Sequence, residues 1–557
     1  MTRKLIFAAV AGLALAAQAV AGAKAQTQAP TYDVLITGGK VIDGTGNPWF
    51  KADVAIAGGK IVDIGNLKGK TAKRIIDANG LVVSPGFIDL HTHSEMPLIE
   101  DGNAESKIRQ GVTLDVLGES SSAAPRDNLP TRNYGGMSDD WRTFTEYWAK
   151  LREKGVSMNV ISHAAFEQIR LSVMGYSEKP ATPAQLERMK ALLARSMQEG
   201  AWGMVLRFES GGPQWPSEVI ELAKVVRQYG GNVTSHIGSE GFNQDKELDF
   251  TFDLARKAEV PVHIFHFKIR GRRNWHLMPH YIERIEQARA EGLDVSVNQY
   301  PYTAMNHGWN VFFPVWARAK GPEEFARILA DPAMRDRLKN DRDFKDWMHE
   351  HGDPEGIVYA RSSVAEHQKY LNMRLSEIAK LRGDKDPVDT CITLMAEAKG
   401  NIGGIFFTMS DENVALVMKQ PWIAISSDAG ALNLTTPGFP HPRTFGTNVR
   451  VLGKFVREDK VLTLEDAVRK MSGYPAQILG LTDRGQVHTG FMADIVVFDP
   501  ATVIDTATYQ KPKSYPRGVP YVLVNGVVVV DKGQHTGARP GRVLYGRGTT
   551  PALKFNY

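Results

Sequence analysis

His91 and His93 stand one residue apart in Val82-Val-Ser-Pro-Gly-Phe-Ile-Asp-Leu-His-Thr-His93. Side chains of a strand alternate between two faces, so Phe87, Asp89, His91 and His93 project together and the two imidazoles sit side by side, as a shared metal ion requires. Alone, such a pair also suits a hydrogen-bonded core histidine. Further residues of ligand type follow at the ends of apolar runs: Glu119 after Val112-Thr-Leu-Asp-Val-Leu-Gly, His236 in Val233-Thr-Ser-His, His266 in Val262-His-Ile-Phe-His-Phe-Lys, and Asp428 in Ile423-Ala-Ile-Ser-Ser-Asp. Parity puts Val262, Ile264, His266 and Lys268 on one face and His263 on the other, which selects His266 if that face is the interior. Four imidazoles and two carboxylates suit Zn²⁺, one or two ions, with Mn²⁺ or Co²⁺ as alternatives.

The elements that must position these residues repeat between about 85 and 480. Short apolar runs alternate with amphipathic segments such as Pro183 to Glu199, Pro216 to Tyr229 and His280 to Glu291. Repeated β-α units of this length predict a (β/α)8 barrel whose strand ends converge on one mouth, with a doubly wound open sheet as the runner-up. Charged helical sequence from about 320 to 400 breaks the rhythm and is expected to be an insertion over one mouth of the barrel. The segments 32–84 and 484–557 share short strands and Gly-Gly or Asn-Gly turns, so they are expected to pair into one β-sandwich.

The chain has 557 residues, 43% hydrophobic and 23% charged, an ordinary globular composition. Residues 1–25 read as a signal peptide: Arg3 and Lys4, an apolar run to about Ala21, and the small-residue pattern Ala23-Lys-Ala25. An exported, periplasmic or secreted protein is expected, with no stable membrane insertion once this segment is removed. The formal charge of +5 includes Arg3, Lys4 and Lys24 of that segment, and the remaining basic residues are scattered, which argues against nucleic acid as a partner. Cys391 is the only cysteine, so no intrachain disulfide forms.

These motifs, together with Gln299-Tyr-Pro-Tyr-Thr303, Pro440-His-Pro-Arg443 and Gly537-x-Arg-Pro-Gly-Arg-Val-Leu544, resemble the D-aminoacylase (N-acyl-D-amino-acid deacylase) family of the amidohydrolase superfamily over nearly all of the chain after residue 25. The resemblance implies an α/β protein, a metal-dependent (β/α)8 TIM barrel with a small β-sandwich built from both chain ends. It implies a first metal site of His91, His93 and Asp428 and a second of His236 and His266, with position 119 bridging or joining them. The family typically has cysteine there and this chain has Glu119, a carboxylate that is able to bridge two ions. Asp428 is implied as the catalytic proton carrier. Lys268, Arg443 and one of Tyr300 and Tyr302 resemble the clamp for the α-carboxylate of a small amide substrate. His441 is expected to be a loop histidine, and Arg207 or Arg170 to add positive charge to the pocket. The implied reaction is hydrolysis of N-acyl amino acids, in particular the D forms. The alternatives are hydrolysis of cyclic amides or of D- or β-linked dipeptides, whose enzymes generally use a carboxylated lysine bridge, and a non-catalytic binding or scaffold protein.

Overall fold

The computed structural model describes residues 32–551 apart from 120–121, 135–136, 208–214, 242 and 319–320. The expected signal peptide therefore lies outside the described residues. Eight parallel strands form the centre: Phe87–Asp89, Val112–Leu117, Asn159–Ser162, Gly203–Arg207, Asn232–His236, Val262–Ile264, Val295–Gln299 and Ile423–Ile425. The third strand reaches the fourth through the extension Ala164–Ala165. The eighth meets the first through a parallel bridge between Thr92 and Ala429, and the Asp428 N–H donates to the His91 carbonyl at 3.0 Å. That closure makes the sheet a barrel and rules out the open doubly wound alternative.

The helical segments fall where their periodicity puts them, at Pro183–Gln198, Pro216–Gln228 and Met278–Ala290. The first of these starts at a capping box: the Thr182 hydroxyl accepts from the Gln185 N–H and the Gln185 side chain accepts from the Thr182 N–H, with Pro183 in the first turn.

Both chain ends share one nine-stranded sheet. The link between them is the antiparallel pair Val82–Pro85 and Ile495–Phe498. Val34, Ile56, Val83, Ile495, Val497 and Leu523 pack into a common apolar core, so neither end could bury its strands without the other. Pro85-Gly86 then carries the chain from this sheet directly into the first barrel strand.

Between the seventh and eighth strands the chain makes a long excursion. Its helices include Pro322–Ala330, Pro332–Asn340, Arg342–Glu350, Leu375–Arg382 and Pro387–Glu397, within the stretch expected to be helical. The excursion is wider than that stretch, because an antiparallel sheet of Ala304–Gly308, Ile402–Phe407 and Ile357–Ser362 frames it. Ala304-Met-Asn-His-Gly308 and Ile402-Gly-Gly-Ile-Phe-Phe407 lack the period-2 alternation that marks a strand, which hid them in the sequence. Trp309, Phe312, Tyr359 and Phe406 belong to a core of the insertion's own.

Candidate metal centre

Every residue singled out as a ligand arrives at the same mouth of the barrel. His91 and His93 follow the first strand, Glu119 follows the second, His236 ends the fifth, His266 follows the sixth and Asp428 follows the eighth. The ring centroids of His91 and His93 are 5.7 Å apart, those of His91 and His266 5.1 Å, and those of His236 and His266 4.5 Å. His263, within the sixth strand, is spent on Ser296 Oγ and Asn298 Nδ2 at 2.8 Å each, whereas His266 lies past the strand's end at Ile264, so the turn there and not strand parity brings it to the centre.

His91 is the strongest sign that a metal belongs here. Its ring is fully buried, yet neither nitrogen makes a hydrogen bond, and the nearest Asp428 oxygen is 3.5 Å from Nε2. A buried polar atom without a partner costs roughly 1–3 kcal/mol, and a ligand removes that cost. Burial, only partly opposed by Asp428, holds the His91 pKa well below its ordinary value, so the ring keeps the lone pair that coordination needs. His236 repeats the pattern: Nδ1 is buried without a partner, and burial and then His266 lower its pKa to about 4. His93 is the open member, its side chain 42% exposed, with Nδ1 3.2 Å from Glu119 and Nε2 2.9 Å from Asp428. Asp428 and His266 both adopt left-handed backbone angles, φ 51° and 35°, a strain that non-glycine residues sustain where the surroundings enforce it.

Among the described residues, three groups bring ligand atoms within 4.8 Å of one another: His91, His266 and Asp428; His91, His93 and Glu119; and His236, Glu240 and His266. Neutral imidazoles with carboxylates fit Zn²⁺ and related first-row ions. The grouping differs from expectation: the group with Asp428 is completed by His91 and His266, not by His91 and His93. Glu119 stands with His91 and His93, whereas the carboxylate beside His236 and His266 is Glu240.

Glu240 had no mark in the sequence beyond its place four residues after His236. Its Oε1 is 2.6 Å from His266 Nδ1 and also receives the Lys268 ammonium. Burial alone would raise the Glu240 pKa, but Lys268 and His266 hold it well below the usual carboxylate range. Asp428 is held low in the same way, with Arg443 foremost against the effect of burial.

Lys268 and Arg443 flank the Tyr300 ring, their charged ends 5.6 and 4.7 Å from its centroid. The Tyr300 hydroxyl is buried without a hydrogen-bond partner, and so is Arg443 Nη1, which lies 2.8 Å from Asp428 Oδ2 without hydrogen-bond alignment. Tyr302 is the tyrosine to set aside. The strand ends at Gln299, so alternation does not carry past Pro301, and the Tyr302 hydroxyl turns to Asp505 Oδ2 (3.4 Å) and the Pro442 carbonyl (3.5 Å). His441 accepts from the Arg443 N–H through Nδ1 and donates to the Ala304 carbonyl through Nε2, so it shapes its loop.

A cavity of about 580 Å³ opens over the centre, lined on the barrel side by His93, Glu119, Arg207, Lys268 and Asp428 and on the insertion side by residues such as Trp347. The insertion is therefore a wall of this mouth. Arg207 supplies positive charge to the cavity, as expected, but Arg170 does not. The Arg170 guanidinium stacks on Trp215 at 3.2 Å, pairs with Glu218 at 3.1 Å and donates to the carbonyls of Ser177 and Lys179.

The amidohydrolase family model matches residues 74–313 and 387–530. The chain belongs to the amidohydrolase family. A D-aminoacylase of Alcaligenes xylosoxydans xylosoxydans is 32% identical over 536 residues, 93% of this chain and 99% of that one. Among solved structures, a D-aminoacylase described for its binuclear metal centre is similar with a TM-score of 0.77 at 31% identity, over 92% of this chain and all of the other. An N-acyl-D-glutamate deacylase from Bordetella bronchiseptica, in complex with zinc and a phosphonate mimic of the tetrahedral intermediate, gives 0.76 at 28% identity over 93% of this chain and all of that one. The amidohydrolase barrel and its separate β domain are thus both present in this chain.

Proposed function

We propose that this protein is a metal-dependent deacylase that hydrolyses the amide of N-acyl-D-amino acids. The observation that carries the reading is the juxtaposition of the buried, unsatisfied His91 ring with a second set of groups, the cations Lys268 and Arg443 on either side of the unsatisfied Tyr300 hydroxyl. The first set suits a metal and the second a carboxylate, and Asp428 stands between them. Similarity to D-aminoacylases supports the choice of substrate.

When bound, the metal supplies Lewis acidity to the attacking water and to the amide carbonyl. The chain's own residues do the rest. Arg443, Tyr300 and Lys268 orient the α-carboxylate, Arg as a planar two-pronged donor and Lys as a point charge. Asp428, held ionised by Arg443 against its burial, takes the proton of the attacking water and delivers it to the departing amine nitrogen. Glu240 and the Lys268 ammonium hold the His266 ring through its Nδ1. The insertion wall limits water at the reacting carbonyl.

The test is a hydrolysis screen of N-acetyl amino acids in both configurations on zinc-loaded protein. Turnover of D substrates is expected, with Asp428→Asn slower in kcat by about 10²-fold or more. No hydrolysis of any N-acyl amino acid, or full activity in Asp428→Asn, overturns the reading. The basic, apolar and small-residue pattern of residues 1–25 supports export, for which a mature N-terminus at Gln26 is the expected result of N-terminal sequencing.

A further inference from the structure

The insertion meets the barrel beside the metal centre. Its helix Arg342–Glu350 ends in Glu350, whose buried carboxylate lies between the loops that follow the fifth and sixth barrel strands. Both loops carry glycine where it enters: an added Cβ at Gly241 would collide with Glu350 Oε1, and one at Gly271 would stand 3.1 Å from Glu350 Cα. The Gly271 N–H also donates to the Thr408 carbonyl at 3.0 Å, and Trp275 Nε1 donates to the same oxygen at 2.8 Å, so the insertion's return strand is fastened to the same loop.

Glu350 Oε2 accepts from Arg270 Nε at 3.1 Å. Arg270 is also tied to Glu240, through its backbone N–H to the Glu240 carbonyl at 2.8 Å and through Nη1, 3.9 Å from Oε2. The other oxygen of Glu240 holds Lys268 and His266, so Lys268 and Arg270 share one carboxylate. Burial lowers the Lys268 pKa, Glu240 opposes the drop, and the Arg270 charge adds to it. Among the described residues the carboxylates paired with Arg270 are Glu240 and Glu350. Without Glu350 the guanidinium is left to compete with Lys268 for Glu240. One turn earlier on the same helix, Trp347 has its ring 4.9 Å from the Arg270 guanidinium and lines the large cavity.

We infer that Glu350 is a positioning residue for the substrate clamp: from the insertion it holds Arg270 off Glu240, which keeps Glu240 for Lys268 and sets the cavity wall and the clamp in one register. This rests on the deacylase reading above and adds to it a residue outside the barrel that acts through Arg270 and Glu240 without touching substrate. A buried guanidinium that loses one carboxylate turns to the other, because leaving a buried charge half-paired is costly.

The experiment measures kcat and KM separately for the better hydrolysed of N-acetyl-D-leucine and N-acetyl-D-glutamate, on zinc-loaded wild type, Glu350→Gln, Glu240→Gln and the double variant, with zinc content and a thermal melt alongside. Glu350→Gln keeps the size of the side chain and the acceptor for Arg270 Nε. It is expected to raise KM about fivefold with kcat within twofold, and to change KM by less than twofold in the Glu240→Gln background, because its effect passes through Glu240. A glutamate with only a structural role would lower the melting temperature and the active fraction, leave KM alone, and add its effect to that of Glu240→Gln. Glu350→Asp draws the same carboxylate back by one methylene and carries the comparison should Glu350→Gln not fold, with a rise in KM that again vanishes in the Glu240→Gln background. KM within twofold of wild type, a loss in kcat alone, or full additivity in the double variant overturns the inference while leaving the deacylase reading intact. If no N-acyl amino acid is hydrolysed, the deacylase reading falls. Calorimetric binding of free D-leucine and D-glutamate by the same proteins then reads the clamp without turnover, and an affinity unchanged by loss of Glu350, or no binding by wild type, overturns the positioning role as well.

Discussion

Glu240 is the residue on which metal ligand and substrate clamp meet. Its carboxylate faces His266 Nδ1 and the Lys268 ammonium together, so Glu240→Gln keeps the shape and removes the charge that holds Lys268 in place. Because burial alone lowers the Lys268 pKa and Glu240 opposes it, the variant is expected to raise KM for N-acyl amino acids about tenfold, with a smaller change in kcat. Steady-state kinetics with zinc content measured alongside would contradict this if KM stayed within twofold. Glu167 makes a different prediction. One of its oxygens accepts from the Arg207 N–H at 2.9 Å, the other is buried without a hydrogen-bond partner, and burial raises its pKa to about 7. A carboxyl raised in the folded state binds its proton more tightly there than in the unfolded chain, so stability is lost as pH rises from about 4.5 to about 7, by up to about 3 kcal/mol. Glu167→Gln removes that loss: its melting temperature should match wild type near pH 5 and exceed it at pH 8, and equal melting curves at both pH values would rule the effect out. Of this chemistry the sequence shows the residues that end apolar runs, since position in a run is a local property; strand parity does not reach His266, because the strand ends at Ile264 and Phe265, which parity groups with His263, stacks on His91 at 4.0 Å. Glu240, and Tyr300 rather than Tyr302, depend on how loops turn beyond the last strand residue, which periodicity does not encode.

At the scale of elements, the short helix Glu105–Ile108 does more than its length suggests. It inserts Lys107, fully buried, among Asp89 of the first strand at 2.7 Å, Asp115 of the second at 3.6 Å, and the Ser427 hydroxyl just past the eighth at 2.6 Å. Asp89 also accepts from the Ser427 N–H at 2.9 Å, so this cluster ties the seam at which the barrel closes, directly beneath His91 and Asp428. Removing one partner of a buried ion pair leaves the other uncompensated, at a cost of about 3–5 kcal/mol. Lys107→Met is therefore expected to lose that much stability in urea unfolding and to bind zinc more weakly, because the two strands that carry His91 and Asp428 are no longer fixed relative to each other. A loss below about 1 kcal/mol would show that the seam is held by its backbone bonds alone. Three barrel helices, Pro183–Gln198, Pro216–Gln228 and Met278–Ala290, were legible in the sequence because each has an apolar stripe. The insertion sheet was not, because its strands draw their stability from a separate aromatic core and not from an alternating pattern.

For the molecule as a whole, the metal centre joins parts of the chain that are remote in sequence: His93 and Asp428 are 335 residues apart, and between them the fifth and sixth strands contribute His236 and His266. An unfolded chain cannot assemble such a set, so a metal binds the folded state almost exclusively and stabilises it by RT ln(1 + [L]/Kd), about 2.7 kcal/mol at one hundred times Kd and about 4.1 at one thousand times. The β sheet that unites the two chain ends contributes no ligand; Val82, Val496, Phe498 and Val522 pack it against the barrel core, and Val34, Ile56 and Val83 belong to a core of its own. Stripping the protein with a chelator is therefore expected to lower the melting temperature by several degrees while leaving the far-ultraviolet circular dichroism at low temperature unchanged, and added Zn²⁺ should restore the melting temperature. His91→Asn provides the control, since removal of the ring with two unsatisfied nitrogens should abolish most of the zinc-dependent shift without opening the barrel. An apo protein that melts with the holoprotein, or a His91→Asn variant that responds to zinc as wild type does, would mean that these imidazoles are packed for structure and not for a metal.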